Sequence, residues 1–297
     1  MPGSCGERWP MPHEANLHGR LQFLRLAIGF GKAIAVAAIL IWSLVPIVFI
    51  VVSSFKPGKD IFAVPPRLAF SPTVEHYVDI WTKWATFFHG LLNSLIITVG
   101  ATVLAVLASS LAGFAYSRFR SPSMTRSALF LILVRLLPPI VVTLPLFPIV
   151  NWLSLNDTHF VLIVLYATFF VSLGSILMRT FIDQIPVELD EAALVDGASR
   201  FTVLWRVILP LATQGMLAVA VFVIVFAWNE FLFAFIFTST RAKTAPLVIA
   251  EMIGSFDGVD WGILFAAATV QLLPVLLFVV LTQRYLVAGL TAGAIKG

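Results

Sequence analysis

The twenty residues from Ala33 to Val52, AIAVAAILIWSLVPIVFIVV, carry no charged side chain, and neither does the run from Gly262 to Leu281, GILFAAATVQLLPVLLFVVL. At about 1.5 Å of rise per residue, a helix of that length matches the roughly 30 Å hydrocarbon core of a bilayer. These two stretches decide the fold class, an all-α polytopic membrane protein. Around them, four more segments of similar length and composition complete a set of six transmembrane helices near 31–53, 90–116, 128–150, 158–178, 211–237 and 262–282. Composition agrees, with 60% hydrophobic and 11% charged residues, where a soluble domain carries about 25% charged. The third segment contains Arg135, Pro138, Pro139, Pro145 and Pro148. It is expected to be kinked or broken, because proline removes a helix hydrogen bond that only neighbours or water can replace inside a membrane.

Lys and Arg collect in cytoplasmic loops, which sets the orientation. With both termini inside, twelve lie on the cytoplasmic side (Arg8, Arg20, Arg25, Lys32, Arg118, Arg120, Arg126, Arg179, Arg200, Arg206, Arg284, Lys296) and six outside (Lys56, Lys59, Arg67, Lys83, Arg241, Lys243). The expected layout is a cytoplasmic segment 1–30, a six-helix transmembrane domain 31–282 and a cytoplasmic tail 283–297. The first outside loop ends in Trp81, Trp84, Phe87 and Phe88, a set suited to a helix returning into the interface.

Other classes fit poorly. The scattered basic residues form no patch for nucleic acid. Cys5 is the lone cysteine, so neither a disulfide within the chain nor a cysteine metal cluster is possible. His13 and His18 are five apart where a zinc-binding helix needs four. No Gly-x-x-x-x-Gly-Lys phosphate loop occurs, so the chain does not carry the usual site for ATP hydrolysis. No catalytic pair marks an enzyme, and no repeated halves mark a secondary transporter. Asn156-Asp157-Thr158 has the form of a glycosylation acceptor and reads as a chance match.

The loop from Arg179 to Pro210, RTFIDQIPVELDEAALVDGASRFTVLWRVILP, is too polar to span and too patterned for a tether. Pro186 suits a helix start, and Glu188, Asp190 and Glu191 put negative charge in its first turns. Ala192, Ala193 and Leu194 favour helix, and Gly197 after Asp196 is a natural stop. A second short helix is expected over about 199–208, amphipathic through Phe201, Leu204 and Ile208, before Pro210 leads into the fifth span.

This loop resembles the signature of the inner-membrane subunits of binding-protein-dependent ABC importers: Glu-Ala-Ala, three residues, Gly, nine residues, Ile, one residue, Leu-Pro. Here the positions are Glu191, Ala192, Ala193, Gly197, Val207 in place of isoleucine, Leu209 and Pro210. The run Phe226-Ala227-Trp228-Asn229-Glu230 and the tail Val287-Ala288-Gly289-Leu290-Thr291, ending Ala294-Ile295-Lys296-Gly297, resemble the carbohydrate, maltose-type branch. The resemblance implies a type I ABC importer permease fold in a prokaryotic inner membrane, carrying a sugar or polyol, with glycerol phosphate as an alternative. It implies that the first loop helix docks on a cytoplasmic ATPase, through Glu191, Ala192, Ala193, Asp196, Gly197, Leu209 and Pro210. It further implies a homologous second permease, an ATPase dimer that holds ATP and Mg, and an extracytoplasmic solute-binding protein; this chain itself would bind no cofactor.

Ionisable and amide side chains inside spans are functional candidates by default. Trp228, Asn229, Glu230, Arg135 and Asn93 are the candidates for the substrate path. For Glu230 an interhelical hydrogen bond is the competing reading, and Asn93 and Gln271 read more readily as packing residues. Ser109, Ser110 and Gly113 read as a small-residue packing face.

Overall fold

The computed structural model describes the backbone of residues 12–119, 121–254 and 258–292, with side chains from 28 to 282 within those ranges. The His13 and His18 pair, most of segment 1–30 and the tail motif from Val287 onward therefore lie outside the described side chains. Two units emerge, Met1–Ser53 and Ser54–Gly297. The first contains helix α1 (Pro12–Ser53), whose stretch Ile28–Ser53 is long and apolar enough to cross a bilayer.

In the second unit every regular element among the described residues is a helix, joined by turns and loops. Short helices α2 (Gly58–Ile61) and α3 (Glu75–Lys83) precede the long α4 (Thr86–Arg118). Then come α5 (Pro122–Arg135), α6 (Pro139–Trp152) and α7 (His159–Ile182). The loop expected to carry function folds into α8 (Glu188–Val195), α9 (Arg200–Val203), a π-helical turn Leu204–Ile208 and α10 (Leu209–Leu211). The chain continues through α11 (Thr213–Trp228), α12 (Leu232–Phe237), α13 (Ala245–Ile253) and α14 (Trp261–Ala292).

Among the described residues, α1, α4, α7 and α14 each satisfy the length and apolarity of a span. Two bent pairs raise the number to as many as six: α5 with α6, bent by 96°, and the segments Arg200–Leu211 and Thr213–Trp228, bent by 77°. The break in the third segment falls between Arg135 and Pro139, where Pro138 and Pro139 follow one another. The expected fifth span is also discontinuous. It bends at Ala212 and breaks again at 229–231, so 211–237 is not the single rod expected from hydropathy.

Helix α4 shows why this unit needs lipid or protein around it. Its buried side includes Asn93, Ser94, Thr98, Thr102, Ser109 and Ser110, while Leu92, Leu95, Val99 and Val103 face outward. A water-soluble helix has the reverse distribution. Against the buried side lies α7, approached through small residues. A Cβ on Gly113 would sit 2.5 Å from the Met178 Cβ, one on Gly100 would press Ile163, and one on Gly174 would strike Ser109. The face expected from Ser109, Ser110 and Gly113 is thus where two spans meet, as close backbone approach demands.

Candidate functional site

Helix α8 forms where local rules favour it. Glu188, Asp190 and Glu191 occupy its first turn, where the helix dipole favours negative charge. Its end is a Schellman turn: Gly197 N donates to Leu194 O at 3.0 Å, and Ala198 N donates to Ala193 O at 3.0 Å. Gly197 has φ +86°, a left-handed conformation that a side chain resists. Ala193 and Ala198 pack together toward the core, whereas Glu188, Glu191, Ala192, Asp196 and Gly197 are exposed. Glu188, Glu191 and Asp196 form no ion pair among the described residues, and the outward face of α8 is acidic. Its two alanines divide, Ala192 outward and Ala193 half-buried.

Beyond α8, Ser199 caps α9 by accepting from Thr202 N, and Val203, Leu204 and Ile208 seat the segment in the core. Phe201 is exposed, so the amphipathic stripe expected through Phe201, Leu204 and Ile208 is carried by the last two and Val203 instead. Leu209 N reaches back five residues to Leu204 O, closing the wide π turn just before Pro210, which has no N–H to offer. Leu209 is buried and Pro210 exposed.

Asp190 points the other way from Glu191, as a step of about 100° per residue requires. Its carboxylate is buried and accepts from Arg118 Nε at 2.6 Å. Arg118, the last residue of α4, counts in the sequence only as a topology marker. Its partner is 72 positions away.

The other candidates do not gather into one site. Arg135 ends α5 at the break, where its guanidinium lies 5.1 Å from the Phe169 ring centroid and donates to Phe169 O at 3.2 Å. Glu230 lies in the break after α11 and accepts from Phe233 N and Ala234 N, capping α12, with the buried Tyr166 hydroxyl beside it. Asn229 is exposed and donates to Val225 O. Trp228 is buried, its ring N–H donating to Gln271 O on α14. Asn93 is buried and fully engaged, donating to Arg241 O and Lys243 O and bonded at its oxygen to His159 Nε2 at 2.7 Å.

Asp157 is a residue that sequence reasoning missed. It has φ 57°, and its carboxylate collects the backbone N–H groups of Ser239, Thr240, Arg241 and Ala242 together with the Thr240 hydroxyl. Burial alone would raise its pKa, but these donors outweigh it and hold the carboxyl well below the usual carboxylate range. The available signal was an aspartate in a short polar break between spans; its partner loop is more than 80 residues distant.

This geometry has known counterparts. The profile of the family described as "Binding-protein-dependent transport system inner membrane component" matches residues 105–291. The chain belongs to that family: it is a multi-pass permease component of a transport system, and not an enzyme. It is 35% identical to the inner membrane ABC transporter permease protein YcjP of Escherichia coli over 91% of this chain and 96% of that one. It is 34% identical to the trehalose/maltose transport system permease protein MalG of Thermococcus litoralis, over 86% and 92% respectively. Among solved structures, a bacterial ABC transporter that imports the acidic polysaccharide alginate superposes with a TM-score of 0.74 at 19% identity, covering 87% of this chain and 96% of the other. That last likeness concerns the fold.

Proposed function

We propose that the chain is one pore-forming subunit of an ATP-driven importer for a sugar or polyol, spanning the membrane six times with both termini cytoplasmic. In this reading the bent pairs each count as one span, and α8 is the surface gripped by a separate ATPase. The observation that carries it is the outward face of α8, where Glu188, Glu191 and Asp196 stand exposed beside Ala192, without ion pairs among the described residues. A helix resting on a membrane surface would carry basic residues there; an acidic face suits a basic or polar cleft on a protein, and Ala192 permits close approach. Gly197 fixes the turn behind it, and Leu209 and Pro210 set the entry to α11.

The partners in this reading are a homologous permease completing the pore, a dimeric ATPase holding ATP and Mg, and an extracytoplasmic binding protein that delivers solute. Family membership supports the binding protein. The sugar class draws on the trehalose/maltose relative. Arg135 and Asn229, with donors at breaks in the spans, together with Glu230, are the path candidates; Trp228 and Asn93, engaged by neighbouring helices, serve the bundle.

The test is reconstitution with a cognate ATPase, second permease and binding protein. ATP-driven uptake of sugar should appear in proteoliposomes, and Glu191→Lys should release the ATPase on size exclusion and reduce uptake at least tenfold. Uptake by the purified chain alone, driven by a proton or sodium gradient, would defeat the reading.

A further inference from the structure

We propose that Arg118 is the positioning residue that joins α8 and the ends of two spans into one rigid strut; the proposal rests on the functional reading above. A guanidinium has five N–H donors in a fixed plane. Here Nε donates to Asp190 Oδ2 at 2.6 Å, Nη2 donates to Asp190 Oδ1 at 3.3 Å and Ile185 O at 3.0 Å, and Nη1 donates to Ser117 Oγ at 3.1 Å and Ile182 O at 3.3 Å. The Arg118 side chain is 8% exposed and that of Asp190 10%.

These contacts bring together the ends of α4 and α7, the linker at Ile185 and the first turn of α8. Arg118 closes α4, Ile182 O at the end of α7 also accepts from Ile185 N at 3.0 Å, and Asp190 lies in the first turn of α8. A cation at a helix C-terminus and an anion at a helix N-terminus are each favoured by the dipole. The neighbours of Arg118 extend the joint. Ser117 Oγ donates to Asp183 Oδ1 at 2.6 Å, just past α7, and the Phe119 ring lies 4.9 Å beneath the Arg200 guanidinium at the start of α9. Three consecutive residues thus hold three successive parts of the loop.

A buried ion pair adds little net stability, since desolvating both charges offsets their attraction. What a fully engaged guanidinium supplies is fixed geometry. Asp190 faces the bundle while Glu191 faces outward, so a partner that displaces the outer face of α8 moves α4 and α7 with it. Without Arg118, α8 would still present its acidic face, but the displacement would be absorbed at a loose joint.

The test uses the assembled transporter in proteoliposomes and reads solute imported per ATP hydrolysed. Arg118→Lys keeps the charge but cannot form the fork. The ATPase should still co-elute, and the import-to-hydrolysis ratio should fall at least tenfold. A ratio equal to wild type would overturn the proposal. If Arg118→Lys does not assemble, a second experiment decides. With Cys5 replaced by serine, Ser117→Cys and Asp183→Cys are joined by a short bifunctional thiol reagent. A rigid strut tolerates an internal staple, so uptake by the cross-linked protein should stay within about twofold of the same double-cysteine variant before cross-linking; a loss that appears only on cross-linking would show that the two ends separate during the cycle and would overturn the proposal. A wild-type assembly without ATP-driven uptake would overturn the functional reading itself, an outcome told apart by the wild type alone.

Discussion

Replacing Asp157 by asparagine keeps the shape of the side chain and removes its charge, which isolates what the carboxylate does for the 239–242 loop. In the native loop Oδ1 accepts from the amides of Ser239, Thr240, Arg241 and Ala242 at 3.0 to 3.2 Å, and Oδ2 accepts from Arg241 N at 2.9 Å and the Thr240 hydroxyl at 2.7 Å. Asparagine must place an NH2 group where one of those oxygens was, facing donors. Hydrogen bonds to a charged group contribute about 1.5–3 kcal/mol net. At about 1.4 kcal/mol per tenfold, protection of the 239–242 amides against hydrogen exchange should fall about 10- to 100-fold. The pH dependence has a definite sign. Because the folded pKa lies below the ordinary value of 3.8, the stabilisation is complete above about pH 4 and is lost only as pH falls through the depressed folded value. The wild-type protection factor should therefore be flat from about pH 8 to pH 5, with the D157N variant lower by the same factor throughout. Exchange mass spectrometry on peptides covering this loop reads both. Equal protection in wild type and D157N would refute the idea that the carboxylate organises the loop.

Gly113→Val should lower the apparent melting temperature of the purified complex, because its Cβ would lie 2.9 Å from the Arg179 backbone nitrogen, which cannot yield; overpacking of this kind costs about 1–3 kcal/mol. Gly58→Ala meets open space and serves as the control with no shift. At Gly197 the obstacle is conformational, since φ is +86° with nothing near a Cβ; Gly197→Val should destabilise the turn by about 1–2 kcal/mol and depress ATP-driven uptake more than Gly197→Asn. Glu230→Ala should raise amide exchange at Phe233 and Ala234, consistent with loss of a cap contributing about 0.5–2 kcal/mol, while Glu230→Gln, which retains an acceptor, should change it less.

Legibility in the sequence tracked the range of the interactions involved. The long apolar helices follow from composition over some twenty residues, and α8 with its Gly197 stop follows from charges, propensities and a turn rule that act within four or five positions. The break at Pro138 and Pro139 was also local, though its 96° angle depends on what α5 and α6 pack against. The bend at Ala212 lies two residues after Pro210, where the loop helix is expected to lead into the fifth span; the break at 229–231 escaped because Asn229 and Glu230 read as polar residues within a span, and no proline or glycine marks a stop there. Least legible were Asp157 and the inward turn of Asp190. Each depends on a partner brought near only by the fold, and a carboxylate beside a chain break looks the same in sequence whether it is solvated or caged.

The same distinction explains why the two ends of the α4–α7 pair matter together. At one end Asn93 and Ser94 of α4 hold the 241–245 segment, with His159 of α7 bonded to Asn93. At the other end Ser117 and Arg118 hold the start of the loop that contains α8. Between them Gly113 meets the α7 backbone at Met178 and Arg179, Gly174 meets Ser109 and Gly100 seats the Ile163 side chain, so the two helices pack closely. With 33 residues, α4 is about 50 Å long at 1.5 Å per residue. A pair packed in this way bends less readily than either helix alone; on the proposed function, a displacement applied at α8 would arrive at the far end as motion of Asn93, His159 and the loop they hold. On the proposed function, the loop caged by Asp157 is then the place where a force applied at one membrane face is delivered to the other.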